Sequence, residues 1–409
     1  MKRSFFYLIA VVIGFTLLRL FFMAYLGKSV DLVPLVAGDA IIIGVGYDGN
    51  TRFAFDLYRQ IRTEEGNLFY SPYSISTALS MTYAGAKGET AQQMGDTLNF
   101  TLHRGQLHPS FNTLSQSLED RENFTLKLAN ALWGQENWNF REDFLDTLAL
   151  NYGAGMHRLD FEEKPKQARR IVNEWVENHS ENKIENLIPR GAFKGLPTVF
   201  VLTNAIYFQA PWASSFSEEL THEKPFTLLN GENVKVPMMS SGSRPFLCTE
   251  GKNYKAVKIH YLGNASMTVI LPDEGCFREV ERDLDSEFVE GVSENLKSHT
   301  VSLEMPKFNF ESKFDLANAL KEMGMPKAFT NTANFSGMTP DTPVWIDQVL
   351  HQAYISVGEK GTEAAAATSV EMVAGIGSNI TLDRPFIFLI RDDQTGTVLF
   401  AGRVVNPAA

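Results

Sequence analysis

The chain has few cysteines. Cys248 and Cys276 are the two among 409 residues, too few for the disulfide framework of a small secreted domain. Neither lies in a spacing of cysteines and histidines that would hold zinc, so the sequence predicts no metal site. We expect two free thiols, buried or partly buried, although two cysteines also allow a single bridge.

Clusters of basic residues are missing too. Lysine and arginine total 37 against 48 acidic residues, which gives a net charge of −11, and no stretch concentrates the positive charge. Binding to nucleic acid needs basic surface against the phosphates. The composition therefore argues against nucleic acid as a partner.

The signatures of common enzyme classes are absent as well. The chain has no G-x-S-x-G and no H-E-x-x-H, and its eight histidines stand apart from one another. Residues 44–49 form a G-x-G-x-x-G, but no parallel βαβ series follows, and Glu64 and Glu65 precede the next strand instead of following it. We interpret this motif as a spacer and predict neither an enzyme nor a cofactor.

The N-terminus carries a long apolar run from Phe5 to Leu26. Counted to Leu18, the run fits the apolar core of a signal peptide, and counted to Leu26 it is long enough to span a bilayer. The two basic residues before it favour export of the chain that follows. We predict an extracellular protein, either secreted or anchored to the outer face of a membrane through residues 4–26.

After residue 50 no linker, charge block or internal repeat marks a domain boundary, and 44% hydrophobic residues are ample for one large core. The predicted organisation is a signal peptide or signal anchor at 1–28, a linker at 29–50 and one domain at 51–409.

Helical and strand-like patterns alternate only loosely along this domain. Helical spacing of apolar residues occurs at 51–62, 89–98, 107–118, 141–151, 168–179, 286–296 and 313–323. Strand-like runs occur at 126–134, 198–208, 266–271, 300–305, 344–357, 385–391 and 397–405. Helices dominate the first half and strands the second, which favours an α+β fold over a doubly wound one.

The side chains of residues 354–376 alternate in character as those of a strand do, although the segment ends as a loop. From Thr362 to Met372, alternate residues are small or apolar on one face, while the other face carries Glu363 and Glu371. Four consecutive alanines are poor strand material, and Thr362 could instead cap a helix. These residues alone support the helix and the strand about equally.

Several ordered blocks of the sequence resemble the inhibitory serpins. The hinge-like block is Glu359-Lys360-Gly361-Thr362-Glu363-Ala364-Ala365-Ala366-Ala367-Thr368. Other matching blocks lie at 67–76, 85–90, 202–208 with Trp212, 261–275, 383–388 and 402–407. The resemblance covers about residues 50 to 407.

The resemblance implies a single large domain with three β-sheets, about nine helices and an exposed reactive-centre loop. It also implies an irreversible suicide-substrate inhibitor of serine proteases, in which the cleaved loop inserts into the central sheet and carries the acylated protease with it. The family also contains non-inhibitory carriers and chaperone-like binding proteins, and this alternative stays open. Since hinges of such members often carry charge, proline or bulk, the small residues here favour inhibition.

Residue roles follow from the resemblance. The hinge comprises Glu359, Lys360, Gly361, Thr362, Ala364 and Ala366. Counting forward from the hinge puts Gly375 before the scissile bond, and counting back from Pro385 puts Ala374 there. With Val373 and Ile376 also nearby, the small and aliphatic residues suit elastase-like or subtilisin- and chymotrypsin-like proteases and not trypsin-like ones.

A second set of residues is expected beneath the central sheet. His351 lies in an apolar strand, where a lone polar ring must find hydrogen-bond partners. By resemblance it belongs to the shutter and breach regions, with Ser71, Ser74, Asn204 and Trp212. The partners implied are serine proteases held as covalent acyl complexes, and the protein is expected to be a monomer that can polymerise by inserting its loop into another copy's sheet.

Overall fold

The computed structural model describes residues 49–63, 65–119, 121–153, 156–193, 200–341, 344–362 and 378–409. All of them fall within a single compact unit. The G-x-G-x-x-G glycines before residue 49, the apolar run at 4–26 and most of the predicted loop lie outside the described residues.

Nine α-helices occur in the described ranges, together with one short 3-10 helix at Pro326–Phe329. The helices are α1 Asn50–Ile61, α2 Pro72–Gly85, α3 Gly88–Thr97, α4 Arg104–Glu119, α5 Glu142–Tyr152, α6 Pro165–His179, α7 Phe277–Asp283, α8 Ser286–Glu294 and α9 Ala317–Glu322. None of these helices is long and apolar enough to cross a membrane.

Fifteen strands accompany them in the same ranges. They are β1 Leu68–Tyr70, β2 Thr125–Gln135, β3 Met156–Leu159, β4 Phe200–Pro211, β5 Ser217–Thr227, β6 Asn233–Gly251, β7 Tyr254–His260, β8 Ala265–Pro272, β9 Lys297–Pro306, β10 Phe308–Asp315, β11 Gln348–Gly358, β12 Gly361–Thr362, β13 Ser378–Thr381, β14 Phe386–Asp392 and β15 Val398–Val404. The α+β prediction is confirmed.

Hydrogen bonds join these strands into two sheets. The six-stranded sheet has the order β10-β11-β12-β4-β2-β3, and β11 also pairs directly with β4. The nine-stranded sheet has the order β1-β15-β14-β8-β7-β6-β9-β13, with β5 on β6. The predicted number was three, and the difference arises because β6 pairs with β9 on both sides of an irregularity between Ser240 and Ser243, which keeps two sets of strands in one sheet.

The core lies where these sheets and helices pack together. One buried cluster lies under α1 to α3, and a second, rich in phenylalanine, includes the ring of Phe69 stacked on Phe400 at 4.9 Å. A third cluster joins α6 to β2, β4 and β11 through Val172, Val176 and Leu350, among others. Helix α6 therefore covers the face of the six-stranded sheet at the place where β4 meets β11.

Helix α2 begins at a well-defined cap beneath this sheet. Ser71 precedes the helix, and its hydroxyl accepts a hydrogen bond from the Ser74 N–H at 3.1 Å. Pro72 occupies the first helical position, where a missing N–H is harmless. The cap fixes both serines directly below β4 and β11.

Candidate functional site

The predicted hinge enters the six-stranded sheet at one end. Strands β4 and β11 pair in parallel from Gln348 opposite Val201 to Tyr354 opposite Tyr207. Beyond that point the short strand β12 lies between them and pairs antiparallel with both. The first two residues of the hinge strand thus already occupy the place of a central strand.

Gly361 makes the turn into β12. Its φ is 146°, a backbone conformation that L-residues with a side chain rarely adopt. Gly361 is the Cα partner of Gly358 on β11 and of Pro211 on β4. A glycine is therefore required where the chain reverses from β11 into the sheet.

Thr362 is fully buried, with none of its surface exposed to solvent. Its hydroxyl lies 2.7 Å from the hydroxyl of Tyr261, and that tyrosine ring stacks on Trp212 at 4.2 Å. Burial raises the pKa of Tyr261, so the phenol stays neutral. The hinge threonine therefore enters a closed aromatic environment that has one polar partner for it.

Glu359 stabilises the turn that leads from β11 into β12. Its carboxylate lies 2.9 Å from Lys307 Nζ and accepts a hydrogen bond from the Thr221 hydroxyl, also at 2.9 Å. Burial opposes its ionisation, but the hydrogen bonds from Lys307 and Thr221 outweigh burial and lower the pKa of Glu359. Its own carbonyl accepts from the Phe216 N–H at 2.9 Å.

Trp212 is the anchor of the turn residues. Its backbone N–H donates to the Lys360 carbonyl at 2.9 Å, and its indole N–H donates to the Gly358 carbonyl at 3.0 Å. The Lys360 side chain points the other way and meets Glu218 at 3.4 Å in an exposed pair. One buried tryptophan therefore fixes both sides of the chain reversal, through its backbone N–H and its indole N–H.

A polar network crosses the six-stranded sheet lower down. Asn130 on β2 faces Asn204 on β4, and Asn204 in turn faces His351 on β11. The Asn204 amide donates to Ser74 Oγ at 2.7 Å and to Asn130 Oδ1. Below the sheet, Ser71 Oγ donates to a backbone carbonyl of β15 at 2.6 Å. Three adjacent strands are thus connected by side chains as well as by backbone.

His351 is the centre of this network. Its Nε2 accepts from the Ser71 N–H at 3.2 Å, so the proton of the neutral ring sits on Nδ1, which donates to Asn204 Oδ1. Complete burial lowers its pKa to about 3. The imidazole is therefore uncharged near neutral pH and acts as a hydrogen-bond connector.

The structure brings together the predicted residues Ser71, Ser74, Asn204 and His351 in one network. It places Trp212, Glu359, Lys360, Gly361 and Thr362 in another. The remaining predicted positions lie outside the described residues, namely Ala364, Ala366, Val373, Ala374, Gly375 and Ile376.

Sequence reasoning missed three contributors. Asn130 is a polar residue between the apolar residues Ala129 and Ala131 of a predicted strand, a signal like the one that identified His351. Lys307 and Tyr261 lie far from the hinge in sequence, and no local pattern marks them as its neighbours.

The two cysteines are both free thiols. Cys248 is buried, and burial raises its pKa to about 11, which leaves the thiol protonated. In the described part of the chain, no group of three or more histidine, cysteine, aspartate or glutamate side chains could hold a metal ion.

Comparison with known proteins agrees with this geometry. The family model described as serpin (serine protease inhibitor) matches residues 48–407. The chain belongs to the serpin family.

Relatives of similar length share about a third of their residues with this chain. An uncharacterized serpin-like protein of Thermococcus kodakarensis is 38% identical over 87% of this chain and 84% of its own. The leukocyte elastase inhibitor of Xenopus laevis is 35% identical over 87% of this chain and 98% of its own. Human thyroxine-binding globulin, solved in complex with thyroxine, superposes with a TM-score of 0.83 and 31% identity over 91% of this chain and all of its own. The fold therefore serves relatives named for inhibition and relatives named for ligand binding.

Proposed function

We propose that this protein is an irreversible suicide-substrate inhibitor of serine proteases. The protease serine attacks a loop carbonyl and forms an ester as the peptide bond breaks, and the new N-terminus departs with the rest of the loop. The loop from Gly361 onward then inserts between β4 and β11 and carries the acylated protease with it.

The observation that carries this proposal is the position of β12. Gly361 and Thr362 already pair with both β4 and β11, and the strand pair below them is the one a longer insert would separate. Thr362 is buried there, as every second residue of an inserting strand would be.

Energetic estimates agree with such a mechanism. An inserted strand would gain roughly a dozen ladder hydrogen bonds at about 0.5–1.5 kcal/mol each. Burial of Val370 and Met372 would add about 1.5–3 kcal/mol each. The sum, on the order of 10–20 kcal/mol, is comparable with the stability of a whole domain and could distort a protease active site.

The target class follows from the residues around the scissile bond. Val373, Ala374, Gly375 and Ile376 are small or aliphatic, which suits elastase-like, subtilisin-like or chymotrypsin-like enzymes. We place the cut after Ala374 or Gly375. Mass spectrometry of the released C-terminal piece would identify the bond.

Incubation with an elastase tests the proposal. A protease–inhibitor complex that resists boiling in detergent supports it, and trypsin serves as the control that should form none. Clean loop cleavage without any complex, across elastase, subtilisin and chymotrypsin, would instead favour a non-inhibitory carrier or chaperone-like protein.

We further propose export, with 1–28 acting as signal peptide or anchor, 29–50 as linker and residues 4–26 as the possible tether. The described domain would work as a monomer outside the cell. If β4 and β11 separate on heating, the loop of another copy would enter between them, so prolonged heating should produce polymers that a loop-sequence peptide blocks.

A further inference from the structure

A cavity beside α6 carries positive charge that no carboxylate of the described residues neutralises. The cavity has a volume of about 410 Å³. Three cationic side chains line it, from Lys166, Arg169 and Arg190. Such a volume lies within the range of small-molecule sites.

None of the three cations has a carboxylate partner in the described part of the chain. Arg169 donates one long hydrogen bond, 3.4 Å, to the Ile188 carbonyl, and Lys166 and Arg190 make no side-chain hydrogen bond to described residues. Their neighbour Arg170, by contrast, pairs with Glu174 on the same helix. Three like charges around one cavity repel one another, which is a cost that a bound anion would remove.

The walls of the cavity are apolar and well anchored. Pro165, Ala192 and Phe193 line it, and Phe193 packs edge-on against Phe161 at 4.9 Å. The segment that carries Arg190 is held to α6 by Asn173, which exchanges two hydrogen bonds with the Ile188 backbone at 2.8 and 3.1 Å. The cations therefore surround a formed apolar pocket instead of extending from a flat surface.

We propose that this cavity binds a small organic anion with an apolar body, such as a medium-chain carboxylate. The carboxylate would meet the guanidinium groups of Arg169 and Arg190, which suit its planar oxygens, with Lys166 as a third charge. The hydrocarbon would lie against Pro165, Ala192 and Phe193. The ligand would then bridge α6 and the segment that follows it.

Calorimetric titration of the full chain tests this site, with octanoate as the probe. We expect saturable binding of one octanoate at this site, weakened by at least about tenfold when Lys166, Arg169 and Arg190 are all changed to glutamine, because each removed charge contributes a factor of a few. The matched control is Arg170→Gln, which removes a charge from the same helix outside the cavity and should leave the affinity unchanged.

Two further arms separate charge from apolar contact. Octanol and inorganic sulfate should each bind far more weakly than octanoate, because octanol lacks the negative charge and sulfate lacks the hydrocarbon chain. Equal octanoate binding by the wild type and the triple glutamine variant would overturn the proposal, and so would sulfate binding as tight as that of octanoate. A single variant, Arg190→Gln, lies outside the helix and keeps the test valid if the triple variant folds poorly.

Discussion

Thr362 is a buried hydroxyl with one polar partner, and that partner limits what can replace it. The Tyr261 hydroxyl lies 2.7 Å away, and the strand partners of Thr362 are the apolar residues Val357 and Ala210. A charge introduced here would be buried without a counter-ion, which is far more costly than leaving the position exposed. The residue thus controls whether the hinge can lie in the sheet.

We predict that Thr362→Arg converts the inhibitor into a substrate. Its loop should be cleaved by elastase at a normal rate while the detergent-resistant complex disappears, because the arginine prevents insertion after the cut. Thr362→Ser keeps the hydroxyl and should retain complex formation. A Thr362→Arg chain that still forms the complex in full yield would contradict the insertion mechanism.

Removal of the Tyr261 hydroxyl should destabilise the buried position of Thr362. Tyr261→Phe leaves the Thr362 hydroxyl buried without its side-chain partner, and we expect a loss of about 1–3 kcal/mol in the free energy of unfolding. Urea denaturation measures the loss. Tyr254→Phe is the matched control, since Tyr254 is only partly buried and makes no side-chain hydrogen bond to described residues.

His351 should make stability depend on pH. Its pKa falls from 6.5 to about 3 on burial, so below pH 6.5 the unfolded chain binds a proton that the folded chain does not. The contribution is complete above pH 6.5 and is lost as the pH falls towards 3, with a total on the order of 5 kcal/mol. Unfolding measured across this range should show the slope, and His351→Gln should reduce it, whereas the exposed His222→Gln should not.

At the scale of elements, the β4–β11 pair is the joint that must open. Its backbone ladder is reinforced by the Asn130–Asn204–His351 network and covered by α6. An insert therefore has to exchange these side-chain bonds and shift the packing beneath α6. The pair is the natural point at which to block the mechanism.

A disulfide across this pair should block inhibition reversibly. Ala205 and Gln352 are Cα partners on the two strands, a spacing compatible with a bridge. With both changed to cysteine and oxidised, the loop should be cleaved by elastase without complex formation, and a reductant should restore the complex. Each single cysteine variant is the control, and complex formation by the oxidised double variant would refute a role for strand separation.

Sequence patterns predicted these elements unevenly. The run at 344–357 corresponds to β11 and the runs at 385–391 and 397–405 to β14 and β15, because strands buried on both faces read as apolar stretches. Strand β5 gave no such signal, since it is an edge strand that is largely exposed and carries charges along its length. The helix predicted at 313–323 shortens to α9 because β10 extends to Asp315.

The candidate site, like the elements, was only partly predictable from the sequence. The family blocks identified the hinge and His351, but only the fold brings Lys307, Tyr261 and Asn130 to them. Pairings between residues fifty or more positions apart depend on strand order, which local periodicity does not contain.

At the scale of the whole molecule, the intact chain should be the less stable of two forms. After a cut between β12 and β13, insertion would extend the two-residue β12 into a full-length strand between β11 and β4. We expect the cleaved protein to melt well above the intact one in calorimetry, while cleaved Thr362→Arg should melt near the intact temperature. A cleaved wild type that melts no later than the intact chain would contradict the proposal.

Strands β13, β14 and β15 lie after that cut, and the last two are buried along their whole length in the nine-stranded sheet. A spent molecule would therefore be a heterodimer of two fragments, held by its core and no longer by a peptide bond. Once denatured, it could regain its shape only by a second-order encounter, at a rate that falls with dilution. Refolding as a single polypeptide would therefore be possible only before the loop is cut.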